Sequence, residues 1–428
     1  MMRGDIVKLF QEENPNPTTI NMEHEKHRRW TILLGGFLLS LMGGMSYAWG
    51  SFVVPLVMDW GWTATQAVLP FTVLIVVFAI TMIPAGWIQD KIGPRKVATW
   101  GAVLFFVGYI LSGFLPWIPY PGWLVFSYGF IVGIACGLTY SCIAPTARKW
   151  YPDRPGFAVS TGVMGFGLAA VVFSPFQRLM INSIGVDGTF QVFSVFVAAV
   201  ALVGAQIMKN PPKGYHISSL SGSAQNEEMD PIKVVEDVSP ERFIRTPEFY
   251  LLWSALAMVI GGGLTAIGLI PAYGEIELKL APAVAATAIS AYALTNGFGR
   301  PIVGYLSDRI GVIRIMTVVY IVQAIVFLLL PWVAVNFVLL VLCSLLLGVG
   351  YATTFALFPV LVSSGFGTKY LGLNYGLVFS AFAIGALTSL IGSKLLDITQ
   401  SFTPAFLLAG STTVVGLILL RILRRRLK

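Results

Sequence analysis

The chain has 428 residues, of which 56% are hydrophobic and only 11% charged, with a net charge of +8. Soluble domains carry about a quarter of charged residues, so this composition excludes disordered, coiled-coil and collagen-like chains and argues against a soluble enzyme. Cys136, Cys142 and Cys343 all lie in apolar stretches without metal-ligand spacing, which supports neither a disulfide framework nor a metal site.

In chain order, residues 1–30 are polar, contain Pro15 and Pro17, and lack the apolar core and cleavage site of a signal peptide. They read as a cytoplasmic N-terminal tail. Twelve runs follow with the length and apolarity of a membrane span, about 20 residues. They lie near 31–56, 65–88, 96–115, 123–146, 157–181, 189–208, 248–273, 283–307, 314–333, 336–363, 371–396 and 403–422. Residues 209–247 mix Lys, Glu, Asp, Ser and Pro and form a cytoplasmic linker. The linker separates a six-helix bundle over 31–208 from a second over 248–422, and 423–428 is a basic cytoplasmic tail. The predicted fold class is an all-α membrane protein with twelve transmembrane helices.

With both termini inside, 24 of the 28 Lys and Arg residues fall in cytoplasmic segments. Arg178, Lys279 and Lys394 fall at the outer face, and Arg300 falls within a span. This bias obeys the positive-inside rule. The positive charge is therefore a topology signal, and a clustered nucleic-acid surface is absent.

Between spans 2 and 3 the chain reads Gly86-Trp-Ile-Gln-Asp90-Lys91-Ile-Gly93-Pro-Arg95, and between spans 8 and 9 it reads Gly304-Tyr-Leu-Ser-Asp308-Arg309-Ile-Gly311. The two copies are 218 residues apart. A second echo aligns Gly133–Tyr140 in span 4 with Gly348–Phe355 in span 10, at an offset of 215. Glycines permit tight turns and close helix approach. The Asp can pair with a base and lie near a helix N-terminus, where the dipole favours negative charge. Gly86, Asp90, Gly93, Arg95 and their counterparts Gly304, Asp308, Arg309 and Gly311 thus form candidate gate loops. The plainer alternative is a solvated loop whose charges only set topology. This duplicated motif and the six-plus-six arrangement resemble the major facilitator superfamily. The resemblance implies two halves related by an axis along the membrane normal, a site near the midplane and alternating access.

Arg300 lies in span 8, about seven residues from its end, or roughly 10 Å inside the boundary at 1.5 Å per residue. Burying a cation there costs about 3 kcal/mol or more. Asp59, Asp187, Glu275, Glu277 and Asp397 all lie near outer ends, so no acidic partner is visible within a span. A guanidinium fork matches a carboxylate in two parallel hydrogen bonds, which makes Arg300 the candidate anion anchor. Snorkelling to the surface is the alternative. Asn296 is one turn earlier on the same face.

Thr295-Asn296-Gly297-Phe298-Gly299-Arg300-Pro301 resembles the span-8 segment of monocarboxylate transporters and bacterial oxalate:formate antiporters. Met45-Ser-Tyr47-Ala-Trp49, Ala147-Arg-Lys-Trp-Tyr151, Arg245-Thr-Pro-Glu-Phe249 and Asn374-Tyr-Gly376 are similar to the same families. The departures concern charge. Where animal relatives carry an Asp before the arginine, this chain has Asn296. Where they carry a span-1 Lys, it has Gly50 and Ser51. Where oxalate antiporters carry a second span-11 cation, it has Phe379-Ser380-Ala381-Phe382. A dianion facing one arginine keeps an unpaired charge in a low dielectric, which costs several kcal/mol. The resemblance and the single cation together imply a small monocarboxylate such as lactate or pyruvate.

Tyr140 and Phe355 occupy equivalent places in the repeat, and Tyr351 is one turn before Phe355. Phe379 and Phe382 share a face of span 11, and Tyr47 and Ser51 are at i, i+4 in span 1. Tyr140, Tyr351 and Ser51 are expected to offer hydroxyls to the substrate, with Tyr47 beside them and Phe355, Phe379 and Phe382 as the apolar wall. Ordinary helix packing is the alternative for each.

His24, His27 and His216 lie outside the spans, and no Walker motif is present. The expected function is proton-coupled symport by a non-enzymatic carrier in the plasma (inner) membrane, a monomer without cofactor. Its partners would be the monocarboxylate anion, a proton and the lipid bilayer. Glu275 and Glu277 are the candidate proton carriers. Uniport and oxalate:formate-type exchange remain as alternatives, with a transporter-like receptor and a drug-efflux pump as more distant ones.

Overall fold

The computed structural model describes residues 17–212, 215 and 237–427. His216 and most of the predicted tail 1–30 and linker 209–247 lie outside the described residues. Twelve helices cross the fold. They are α1 (Arg29–Met58), α2 (Thr65–Ile92), α3 (Pro94–Ser112), α4 (Pro121–Trp150), α5 (155–184) and α6 (186–207). The second half holds α7 (Pro247–Ile276), α8 (Pro282–Ile310), α9 (Val312–Val333), α10 (Phe337–Phe366), α11 (Leu371–Thr399) and α12 (Thr403–Arg426). Each overlaps one predicted run. Helix α5 continues into α6 with a break only at Gly185, whose φ of 77° is readily open to glycine. A 3-10 turn, Met45–Ala48, interrupts α1, and Val125–Val132 of α4 is π-helical.

Several start signals are local. Thr63 caps the first turn of α2 in a capping box with Gln66. Thr246 accepts from the Phe249 amide at 3.3 Å, with Pro247 in the first turn, so the Arg245–Phe249 segment works as a helix cap for α7. Asn336 caps α10 in the same way.

The sequence motifs place Asp90 and Asp308 in loops, but both ride the last turns of α2 and α8, which run on to Ile92 and Ile310. The helices stop at Gly93 (φ 89°) and Gly311 (φ 101°), where a side chain would be strained. The carboxylates are therefore held on rigid elements.

The halves meet mainly through two pairs, α2 with α11 and α5 with α8. Both pairs use small residues. A Cβ at Gly86 would strike the Gly372 backbone, and one at Gly304 would strike Gly156 and Ser160. Away from these seams the helices present exposed Ile80, Trp100, Phe130, Leu202, Val318 and Ile418. Such apolar outer walls belong in lipid, and the chain is an integral membrane protein.

Candidate substrate site and gate

Arg300 is completely buried in α8. Its Nε donates to Asn296 O at 3.2 Å and its Nη2 to Asn296 Oδ1 at 3.1 Å. Its Nη1 donates to Val163 O at 2.7 Å, across the seam in α5. The guanidinium carbon lies 4.9 Å from the Phe355 ring centroid. No described carboxylate forms an ion pair with it. Of five N–H donors, three are used, which leaves one on each terminal nitrogen. A buried cation with donors to spare is a receptor for a carboxylate.

The aromatic side chains form one continuous cage around this point. Phe355 is 6.0 Å from Phe379 and 5.8 Å from Phe382 between ring centroids. Phe379 reaches Tyr140 at 5.7 Å, and Tyr351 reaches Phe355 at 4.9 Å. Tyr47 Oη and Tyr351 Oη are 3.3 Å apart and join α1 to α10. Tyr140 Oη is buried close to the Tyr375 hydroxyl and the Arg300 guanidinium but closes no hydrogen bond of good geometry with either. An idle buried hydroxyl costs about 1–3 kcal/mol, so it is poised to bond a ligand.

Not every expected residue gathers here. Ser51 Oγ donates to Ser174 O of α5 at 3.4 Å, so its hydroxyl is engaged elsewhere. Glu275 and Glu277 are exposed at the end of α7. Conversely, Phe78, Phe166 and the Val163 carbonyl belong to the centre. Phe78 packs on Tyr140 at 5.5 Å and on Phe379 at 5.2 Å. Phe166 packs on Tyr47 at 5.1 Å and on Tyr140 at 5.4 Å. The gate-motif offset of 218 carries Phe78 onto Asn296, so the repeat held a signal for it. Nothing in the sequence marked Phe166 or Val163.

The two gate motifs close one face of the molecule, here called the loop face. Asp90 accepts from the Gly372 and Leu373 amides of α11 at 3.2 and 3.0 Å. Asp308 accepts from the Gly156 and Phe157 amides of α5 at 2.7 and 2.8 Å. Each carboxylate thus satisfies the open N-terminal amides of a helix in the other half, where the dipole is positive. The motif bases take other partners. Arg95 bonds Gln206 Oε1 at 2.7 Å, and Arg309 stacks on Tyr305 at 4.4 Å. The expected pairing of the Asp with a base gives way to the helix terminus, which offers two fixed donors. Arg148 donates to Ser363 Oγ at 3.2 Å, and the two residues are 215 apart, the offset of the second echo. A residue meeting its own repeat counterpart marks the pseudo-twofold axis. Asp237 accepts from the Thr368 and Lys369 amides, and Asn374 Nδ2 donates to Val238 O, which ties the end of the linker to the start of α11.

Duplicated latches around a central cage are the plan of a rocking carrier. The family model of the Major Facilitator Superfamily matches residues 32–389 and 277–428. The chain belongs to that superfamily. This transporter is 27% identical over 409 residues to the oxalate:formate antiporter of Oxalobacter formigenes, covering 94% of this chain and 93% of that protein. It is 26% identical to monocarboxylate transporter 12 of Rattus norvegicus, covering 75% of this chain and 69% of that one. Among solved structures, the transporter FucP in its outward conformation superposes with a TM-score of 0.69 at 17% identity, covering 92% of this chain and 99% of that one. A bacterial homologue of ferroportin in an outward-facing state gives 0.67 at 16% identity, covering 93% and 100%. The protein is thus a membrane transporter, not an enzyme, related to oxalate:formate and monocarboxylate carriers.

Proposed function

We propose that this transporter carries small monocarboxylates such as lactate or pyruvate, in symport with a proton, by alternating access. The observation that carries this reading is Arg300, which is buried and lacks a carboxylate partner among the described residues, with one free N–H on each terminal nitrogen. One carboxylate fills both donors and cancels the charge. A second carboxylate would enter an aromatic cage with no cation to meet it, at a cost of several kcal/mol. Asn296 orients the fork, Tyr140, Tyr47 and Tyr351 supply hydroxyls, and Phe355, Phe379 and Phe382 hold the short apolar tail. Ser51 lies outside this set.

The loop face, with both termini, is proposed to be cytoplasmic in the plasma (inner) membrane, because Lys and Arg concentrate there. With that face latched and Arg300 fully buried, the substrate enters when the opposite face opens. Arg300 bonds Val163 across the seam, so a bound carboxylate competes for the guanidinium and loosens that tie. Neutralising the pair makes the rocking step electrically mild. The proton rides on the substrate or enters through Glu275 and Glu277 at the far mouth. The working unit is a monomer.

The test is purified protein in liposomes. Labelled lactate uptake should rise several-fold with an inward proton gradient and be competed by C2 to C4 monocarboxylates but not by oxalate. Uptake indifferent to the gradient defeats symport. The second reading, exchange of the oxalate:formate type, is favoured by the Oxalobacter relative. It predicts uptake only into vesicles preloaded with a carboxylate.

A further inference from the structure

A cavity lies away from the central cage, on the loop face, where α1, the α4–α5 connection and α8 meet. Its volume is about 360 Å3, and its walls include Arg29, Trp30, Tyr151, Asp153, Arg154 and Tyr305. Arg29 pairs with Asp153, and its guanidinium carbon lies 4.0 Å from the Tyr151 ring centroid. Asp308, beside the cavity, is taken up by the α5 N-terminus. Arg154 on the wall and Arg309, stacked on Tyr305, have no carboxylate partner among the described residues. The cavity is therefore a positive site.

It also holds idle donors. Tyr151 is only 5% exposed, yet its Oη has no hydrogen-bond partner among the described residues, and neither has the buried Arg29 Nε. Burial pushes the Tyr151 hydroxyl up to about 12, so it stays a donor at any physiological pH. Buried donors without acceptors are rare in native folds and call for a ligand with several acceptor oxygens.

The rim says where that ligand comes from. Trp30 is 59% exposed and Tyr305 38% exposed. Trp30 stands at the start of the first apolar span and Tyr305 near the end of α8, and exposed Trp and Tyr at such places sit at the boundary between hydrocarbon and headgroups. Below them both α1 and α8 pack on α5, and their outer edges carry exposed Leu34, Phe298 and Ile302. The cavity therefore lies beside an apolar membrane wall. A headgroup in the cavity with acyl chains along that wall fits both parts.

We propose that this cavity binds the phosphate of an anionic phospholipid from the leaflet on the loop face. Arg154, Arg29 Nε and Tyr151 Oη meet the phosphate oxygens, and Trp30 and Tyr305 frame the glycerol. All these residues but Tyr305 belong to the first half, so the lipid spans the seam between α5 and α8. Phe157, which also lines the cavity, is held by Asp308 through its amide. A bound lipid therefore reinforces the closed loop face. The proposal does not depend on which substrate the transporter carries.

The experiment is native mass spectrometry of the delipidated full chain, titrated with dioleoyl phosphatidylglycerol or dioleoyl phosphatidylcholine. One phosphatidylglycerol per chain should bind at least about ten-fold more tightly than phosphatidylcholine. Arg154→Gln removes a charge-assisted bond and should weaken that binding by about ten-fold. Arg154 and Tyr305 are both exposed, so Arg154→Gln and Tyr305→Ala should leave the thermal midpoint in detergent unchanged; Arg309→Gln serves as a further variant. Equal binding of the two lipids overturns the proposal. So does wild-type affinity in the variants, or displacement of the lipid by millimolar inorganic phosphate, which would make the site one for a free anion.

Discussion

Counted back from the gate carboxylates, α8 and α2 are built alike until they reach the centre of the membrane. Arg300 and Asn296 precede Asp308 by eight and twelve residues, and Met82 and Phe78 stand at the same distances before Asp90. At the gate both halves do the same thing, since each Asp takes two amides from a helix of the other half. At the centre they do opposite things. One half supplies a cation and an amide, and the other supplies a sulfur and a phenyl ring. A rocking motion about a pseudo-twofold axis needs matched latches on both sides of that axis. A substrate with one carboxylate needs only one cation, and a second would remain uncompensated in a low dielectric.

The sharpest test of this asymmetry is at its charged member. Arg300→Ala should reduce lactate uptake by at least about a hundred-fold, since it loses two charge-assisted bonds worth roughly 1.5–3 kcal/mol each. Arg300→Lys keeps the charge without the fork and should recover only part of the activity. Met82→Ala, the same truncation in the other half, should retain most uptake in folded protein. Equal losses from both truncations would break the distinction between the halves.

The matched latches predict a matched pair of effects. Asp90→Asn and Asp308→Asn each remove the charge from two amide contacts, a shift of roughly 1.5–3 kcal/mol or about ten-fold or more toward opening of the loop face. Spin labels at Lys96 and Lys369, exposed residues in opposite halves, would report the opening as a longer distance population. A response to only one substitution would mean that the latches are not equivalent.

Smaller effects belong to the cage. Phe355→Ala gives up a buried cation–π contact of about 1–2 kcal/mol and should raise KM about ten-fold. Tyr140→Phe should raise KM a few-fold, about 1 kcal/mol of lost hydrogen bonding. It should leave the thermal midpoint unchanged or slightly higher, because an unsatisfied hydroxyl is removed. Ser51→Ala should change uptake by less than about two-fold, since its single 3.4 Å bond runs to a helix carbonyl.

Much of this transporter is written in short stretches of its sequence. Twelve spans are legible because transfer into a bilayer depends on local apolarity over about 20 residues. The gate motifs are legible because the chain repeats them, and Arg300 because a cation in such a run is costly. The same repeat pointed to Tyr140 and Phe355, and it contained Phe78 for anyone who carried the gate offset inward. What only the tertiary structure decided was partnership. Asp90 meets amides 282 and 283 residues away, and Arg300 meets a carbonyl 137 residues away. Packing of helices within the first half brought Phe166 into the cage and turned Ser51 aside. Apolarity and charge are properties of a residue and its neighbours in the chain, whereas a helix end, a carbonyl or an aromatic ring becomes a partner only when tertiary packing brings it within reach.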